Sequence, residues 1–83
     1  MKPEKLVMMA NQIGAFFASQ KGDAAVQGIL DHIKKFWDPR MRAAILAHLD
    51  AGGEGLDPKV RNAVELLSHE QSETLKASPD IAG

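Results

Sequence analysis

Apolar residues recur every three or four positions through most of the chain, the spacing of helices that bury one face. Leu6, Met9, Ile13, Phe16 and Phe17 form the first such set. Val26, Ile29, Leu30 and Ile33, with Phe36 or Trp37, form the second, and Met41, Ile45 and Leu49 the third. Val60, Ala63, Val64 and Leu67 continue the period in a fourth, after which it fades, with Leu75 the only apolar contact residue between 68 and 76. Nowhere do apolar and polar residues alternate with the period of two that marks a strand. The pattern predicts an all-α fold: a compact array of about four short helices forming one domain over residues 1–76, then a disordered, flexible tail over 77–83.

The residues between these sets predict where each helix starts and stops. Pro3 suits a first helical position and Glu4 the positive end of the helix dipole, so the first helix runs over about 3–19. Gly14, beside Ala10 and Ala18, weakens that helix by about 1 kcal/mol relative to alanine, which predicts a neighbouring backbone packed close to it. Asp23 is the expected N-cap of a second helix ending near 37, with Lys34 and Lys35 favoured by the dipole in its last turn. Gly28 sits where that helix could pack against the Gly14 row. Asp38-Pro39 and Asp57-Pro58 each combine a capping carboxylate with a proline at the first helical position, so each predicts a helix start. Proline also disfavours α geometry at Asp38, which forces a corner between the second and third helices. Gly52-Gly53 supplies the left-handed geometry that ends the third helix near 51, and Leu56 is placed to staple the start of the fourth.

Composition narrows the function classes. Eighty-three residues leave room for one domain, with an ordinary apolar fraction of 45% and charged fraction of 25%. The formal net charge of −1 argues against a nucleic-acid partner. No cysteine is present, which excludes disulfides, thiolate-held zinc, cysteine-ligated iron–sulfur clusters and a cysteine nucleophile. No apolar run approaches the ~18 residues of a membrane span, and the stretch from Leu6 to Ala10 is too short for a signal peptide. A soluble, cytoplasmic protein without a membrane partner is expected.

Catalytic chemistry finds little to work with. His32, His48 and His69 form no pair at the four-residue spacing of a helical metal site, so no metal site is expected. The Gly52-Gly53-Glu54-Gly55 run lacks the lysine and hydroxyl of a phosphate loop, and Glu54 and Asp57 would repel an anion there. The serines at 19, 68, 72 and 78 lie in loops, weak helix or tail, with no base arranged beside them. No catalytic residue is assigned, and the chain is not expected to be an enzyme by itself.

The best-equipped surface is the corner from Phe36 to Arg42. Arg40 and Arg42 occupy the first turn of the third helix, where the dipole disfavours positive charge. Trp37 has two readings, a core side chain or an interface anchor, since tryptophan and arginine most often anchor interfaces. A charge placed against its local preference points to contact. The candidate partner-binding residues are Asn11, Gln12, His32, Phe36, Trp37, Arg40 and Arg42. Asn11 and Gln12 either sit at the solvated edge of the first helix or reach a partner's backbone. An alternative reading gives Lys34, Lys35, Arg40 and Arg42 to a phosphate-bearing ligand, since basic residues near a helix start can receive phosphate. A third, self-association through the Gly14 row, predicts a dimer.

The run from Met9 to Ile13 with Phe16-Phe17, then Asp31-His32-Ile33 and Phe36-Trp37-Asp38-Pro39-Arg40-Met41-Arg42, resembles the delta subunit of NAD-dependent, molybdenum-containing formate dehydrogenases. Gly52-Gly53 with Gly55-Leu56-Asp57-Pro58 and Val60 extends the likeness, which covers about 6–67. The resemblance implies a cytoplasmic complex whose larger subunits carry a molybdenum bis(molybdopterin guanine dinucleotide) centre, iron–sulfur clusters, FMN and the NAD site, with no cofactor in this chain. It implies a non-catalytic role for the small subunit: binding the large catalytic subunit and supporting its assembly or stability, with the alternative of a maturation factor that holds a guanine nucleotide or the molybdenum cofactor through Lys34, Lys35, Arg40 and Arg42.

Overall fold

The computed structural model describes residues 2–82, with side chains over 2–70, so the tail expected over 77–83 lies outside the residues whose side chains are described. Four helices follow one another: α1 (Pro3–Phe16), α2 (Gly22–Phe36), α3 (Pro39–Asp50) and α4 (Pro58–Ala82). They close a ring in which α2 packs on α4, α4 on α3, α3 on α1 and α1 on α2, while α1 also touches α4 across the middle. The helical array expected from the apolar period is thus the fold observed. No helix among the described residues is long and apolar enough to cross a membrane.

The core fills the centre of this ring. Leu6, Ile29, Ile33, Ile45, Val60 and Val64 are fully buried, one or two from each helix, and Ala10, Val26, Leu30, Trp37, Ala63 and Leu67 complete the cluster. Burying each large aliphatic side chain is worth about 1.5–3 kcal/mol. The stripes read for α3 and α4 are those buried, with Met41, Leu49 and Leu56 packed against the rim of the core.

Two local expectations are corrected. The first helix ends at Phe16 rather than near 19, because Phe17 leaves helical geometry and the next amides close tighter turns. Its core face is Leu6, Ala10, Ile13 and Phe17, which turns Phe16 outward to 78% exposure. The N-cap of α2 is Lys21, not Asp23, and it makes no side-chain capping bond. Asp23 lies inside the first turn instead, where its charge still opposes the dipole favourably.

Gly14 does permit close packing, though of a side chain from the fourth helix. A Cβ at that position would lie 2.5 Å from Val60 Cγ2, a stiff and fully buried group. The close approach is therefore used inside the molecule, between α1 and α4. Gly28 accommodates the ring of Phe17, not the Gly14 row.

Candidate docking surface

The corner between α2 and α3 is built by the local rules its sequence announces. Asp38 has extended backbone geometry, and its Oδ1 accepts the Met41 N–H at 2.9 Å, satisfying one of the free amides of α3. Pro39 takes the first helical position. The adjacent aromatic residues then separate. Trp37 is 5% exposed and belongs to the core, whereas Phe36 is 70% exposed. Trp37, expected among the contact residues, is corrected to a side chain that fastens the corner to the core. Phe36 is the last helical residue of α2 and Trp37, its C-cap, has extended geometry, so the two neighbouring side chains leave the corner in different directions.

The basic residues divide in the same way. Arg42 is half-buried, and its Nη1 donates to the Lys34 carbonyl at 3.1 Å, closing the end of α2 against the start of α3. Its Nε is buried without a hydrogen-bond partner. Lys34 Nζ lies 2.8 Å from Glu70 Oε1 on α4, and that hydrogen bond, followed by the carboxylate's charge, holds the Lys34 ammonium above the usual lysine range. Lys35 and Arg40 are exposed and make no hydrogen bond or ion pair with the described residues. The four cations read as one nucleotide or cofactor site therefore do not stand free together: two are engaged inside the chain.

Beside Phe36 lies an aromatic edge. The His32 ring sits 4.7 Å from the Phe36 ring, tilted by 41°, one helical turn back. One turn earlier still, Gly28 faces the ring of Phe17, which meets Phe16 edge-on at 5.0 Å. Phe16, Phe17, His32 and Phe36 thus mark one flank of α2, about 12 Å from Gly28 to Phe36 along the helix axis. Phe16 was not singled out for this surface. The signal lay in the spacing of Leu6, Ala10, Ile13 and Phe17, a continuous helical face that leaves Phe16 outside it.

Asn11 is placed far from that corner. Its Nδ2 donates to the Gly55 carbonyl at 2.9 Å, and its Oδ1 accepts the Asp57 N–H at 3.0 Å. The amide expected at a solvated edge or on a partner instead ties α1 to the loop before α4. His48 Nε2 reaches the Glu54 carbonyl at 2.8 Å, and because a carbonyl only accepts, that nitrogen carries the proton. Arg61 Nη1 donates to the Gly52 carbonyl at 2.9 Å. Gly52 and Gly53 have φ of 124° and 66°, and their amides donate to the Leu49 and His48 carbonyls respectively, the five-to-two and six-to-one pair that closes a helix C-terminus. The loop that resembled a phosphate cradle is a turn held by side chains from α1, α3 and α4. Gln12 is exposed on α1 and makes no hydrogen bond among the described residues.

No group of three histidine, cysteine, aspartate or glutamate side chains among the described residues could hold a metal ion. The chemistry on offer is contact: an exposed Phe36 ring tilted against a half-buried His32, with Lys35 and Arg40 unpaired among the described residues. The sequence profile of the NADH-dependent formate dehydrogenase delta subunit family, FdsD, matches residues 5–64, which takes in the corner, the aromatic edge and the clamped loop. No curated protein and no solved structure matches the chain. With more than half of its length matched, the chain belongs to the NADH-dependent formate dehydrogenase delta subunit family.

Proposed function

We propose that this chain is a non-catalytic accessory subunit of a cytoplasmic formate dehydrogenase complex. It binds the large catalytic subunit and supports that subunit's assembly or stability, docking through the corner at Phe36. The molybdenum centre, iron–sulfur clusters, FMN and NAD site belong on this reading to the partner subunits, in keeping with a chain that has no cysteine.

The observation that carries the reading is the ring of Phe36, 70% exposed and set against the His32 ring, at a corner whose Trp37, Asp38 and Arg42 are engaged internally. Asp38 caps α3, Trp37 is in the core and Arg42 bonds α2, so none of them explains why a large apolar side chain stands in water. An exposed aromatic pre-positioned by a neighbour is the kind of residue that anchors interfaces, and its burial gives up little side-chain freedom.

Co-purification of tagged chain with the larger subunits tests this directly. Phe36→Ala is expected to keep its helical circular dichroism and lose about 2 kcal/mol or more of binding, roughly thirtyfold in affinity. Unchanged recovery of the larger subunits by a folded Phe36→Ala chain would place the interface elsewhere.

A further inference from the structure

Between 34 and 42 the chain carries Lys34, Lys35, Arg40 and Arg42 against the single carboxylate of Asp38, although the whole chain has a net charge of −1. Asp38, itself exposed, accepts the Met41 amide, Lys34 is paired with Glu70 and Arg42 bonds the Lys34 carbonyl. What remains exposed within four residues of Phe36 along the chain is the charge of Lys35 and Arg40, unpaired among the described residues. Lys35 suits its place in the last turn of α2. Arg40 does not, because it stands in the first turn of α3, where the helix dipole repels a cation and the N-cap Asp38 is the nearest carboxylate in sequence, its Oδ1 on the Met41 amide.

We infer that the partner presents an apolar socket for Phe36 rimmed by carboxylates, which meet Lys35 and Arg40. This rests on docking through the Phe36 corner and adds the chemistry of the surface it meets. An apolar anchor inside a charged rim combines the two usual contributions to an interface: the desolvated ring holds the complex, and the rim sets orientation and the rate of encounter. A carboxylate opposite Arg40 also compensates the unfavourable dipole that the isolated chain leaves standing.

Binding of the purified chain to the larger subunits, followed across a salt titration from about 50 to 500 mM, tests the rim, because screening weakens exposed charge pairs over that range. The native chain is expected to associate more slowly as salt rises. Lys35→Glu combined with Arg40→Glu should bind about ten- to a hundredfold more weakly at low salt, mostly through the association rate, and should associate faster, not more slowly, as salt rises. Arg40→Glu alone should meanwhile raise the melting temperature by about a few degrees, since it places an acid at a helix start. Lys35→Gln with Arg40→Gln, which keeps helix formers at both positions, is expected to fall between the two. If the charge-reversed chain binds like the native one while Phe36→Ala does not, the carboxylate rim is refuted and the docking corner stands. If neither variant weakens binding, the corner itself is refuted.

Discussion

Two Asp-Pro steps start helices in this chain, and they are finished in opposite ways. At Asp57-Pro58 the surrounding loop is secured from three directions, by Asn11 of α1, His48 of α3 and Arg61 of α4. Its polar groups are answered within the molecule. At Asp38-Pro39 the backbone is secured just as well, by the Asp38 cap, by Arg42 on the Lys34 carbonyl and by Trp37 in the core. Yet that corner also puts Phe36, Lys35 and Arg40 outside, with none of them needed to hold the turn. The comparison separates architecture from availability. The same dipeptide makes both corners, and only the side chains left over distinguish a scaffold from a surface that can bind.

The sharpest way to break the comparison is Trp37→Ala. Truncating a buried tryptophan costs about 3–5 kcal/mol, close to the whole stability of a domain this small, so urea denaturation should find the variant largely unfolded. A loss under about 1 kcal/mol would mean that the corner is not fastened to the core. Asn11→Ala should cost less, about 1–2 kcal/mol, since it removes two hydrogen bonds whose partners can turn to water. The same denaturation series measures it, and binding to the larger subunits should be unchanged once the chain is folded. Phe36→Ala completes the ranking with a change in stability within about 0.5 kcal/mol, as expected of an exposed residue outside the core.

Local physics made much of this legible from sequence. The Asp38 cap, the Pro39 start and the Gly52-Gly53 stop depend on residues within one turn of each other, and each is found where its residue types put it. The core stripes of α3 and α4 follow from periodicity alone. Choosing between Phe36 and Trp37 did not, because adjacent residues at a helix end have equal hydrophobic claims and only the angle to α3 decides which turns inward. Asn11 was beyond reach for another reason: its partners, Gly55 and Asp57, lie 44 and 46 residues away. Arg42 shows the same limit at shorter range. Its bond to the Lys34 carbonyl crosses the corner, so the side chain that looked available for a partner is used to brace it. Phe16 went astray because a three-residue step from Ile13 looks helical, and only the buried Ala10 reveals which way the face runs.

The central claim is that the Phe36 corner meets the partner and the clamped loop does not. A photo-crosslinking phenylalanine analogue placed at Phe36 in one chain and at Glu54 in another, each assembled with the larger subunits, tests it most directly. Both positions are exposed, so the substitution disturbs neither core. The account predicts a crosslink to the large catalytic subunit from position 36 and none from 54. Crosslinking from 54 with silence at 36 would contradict it.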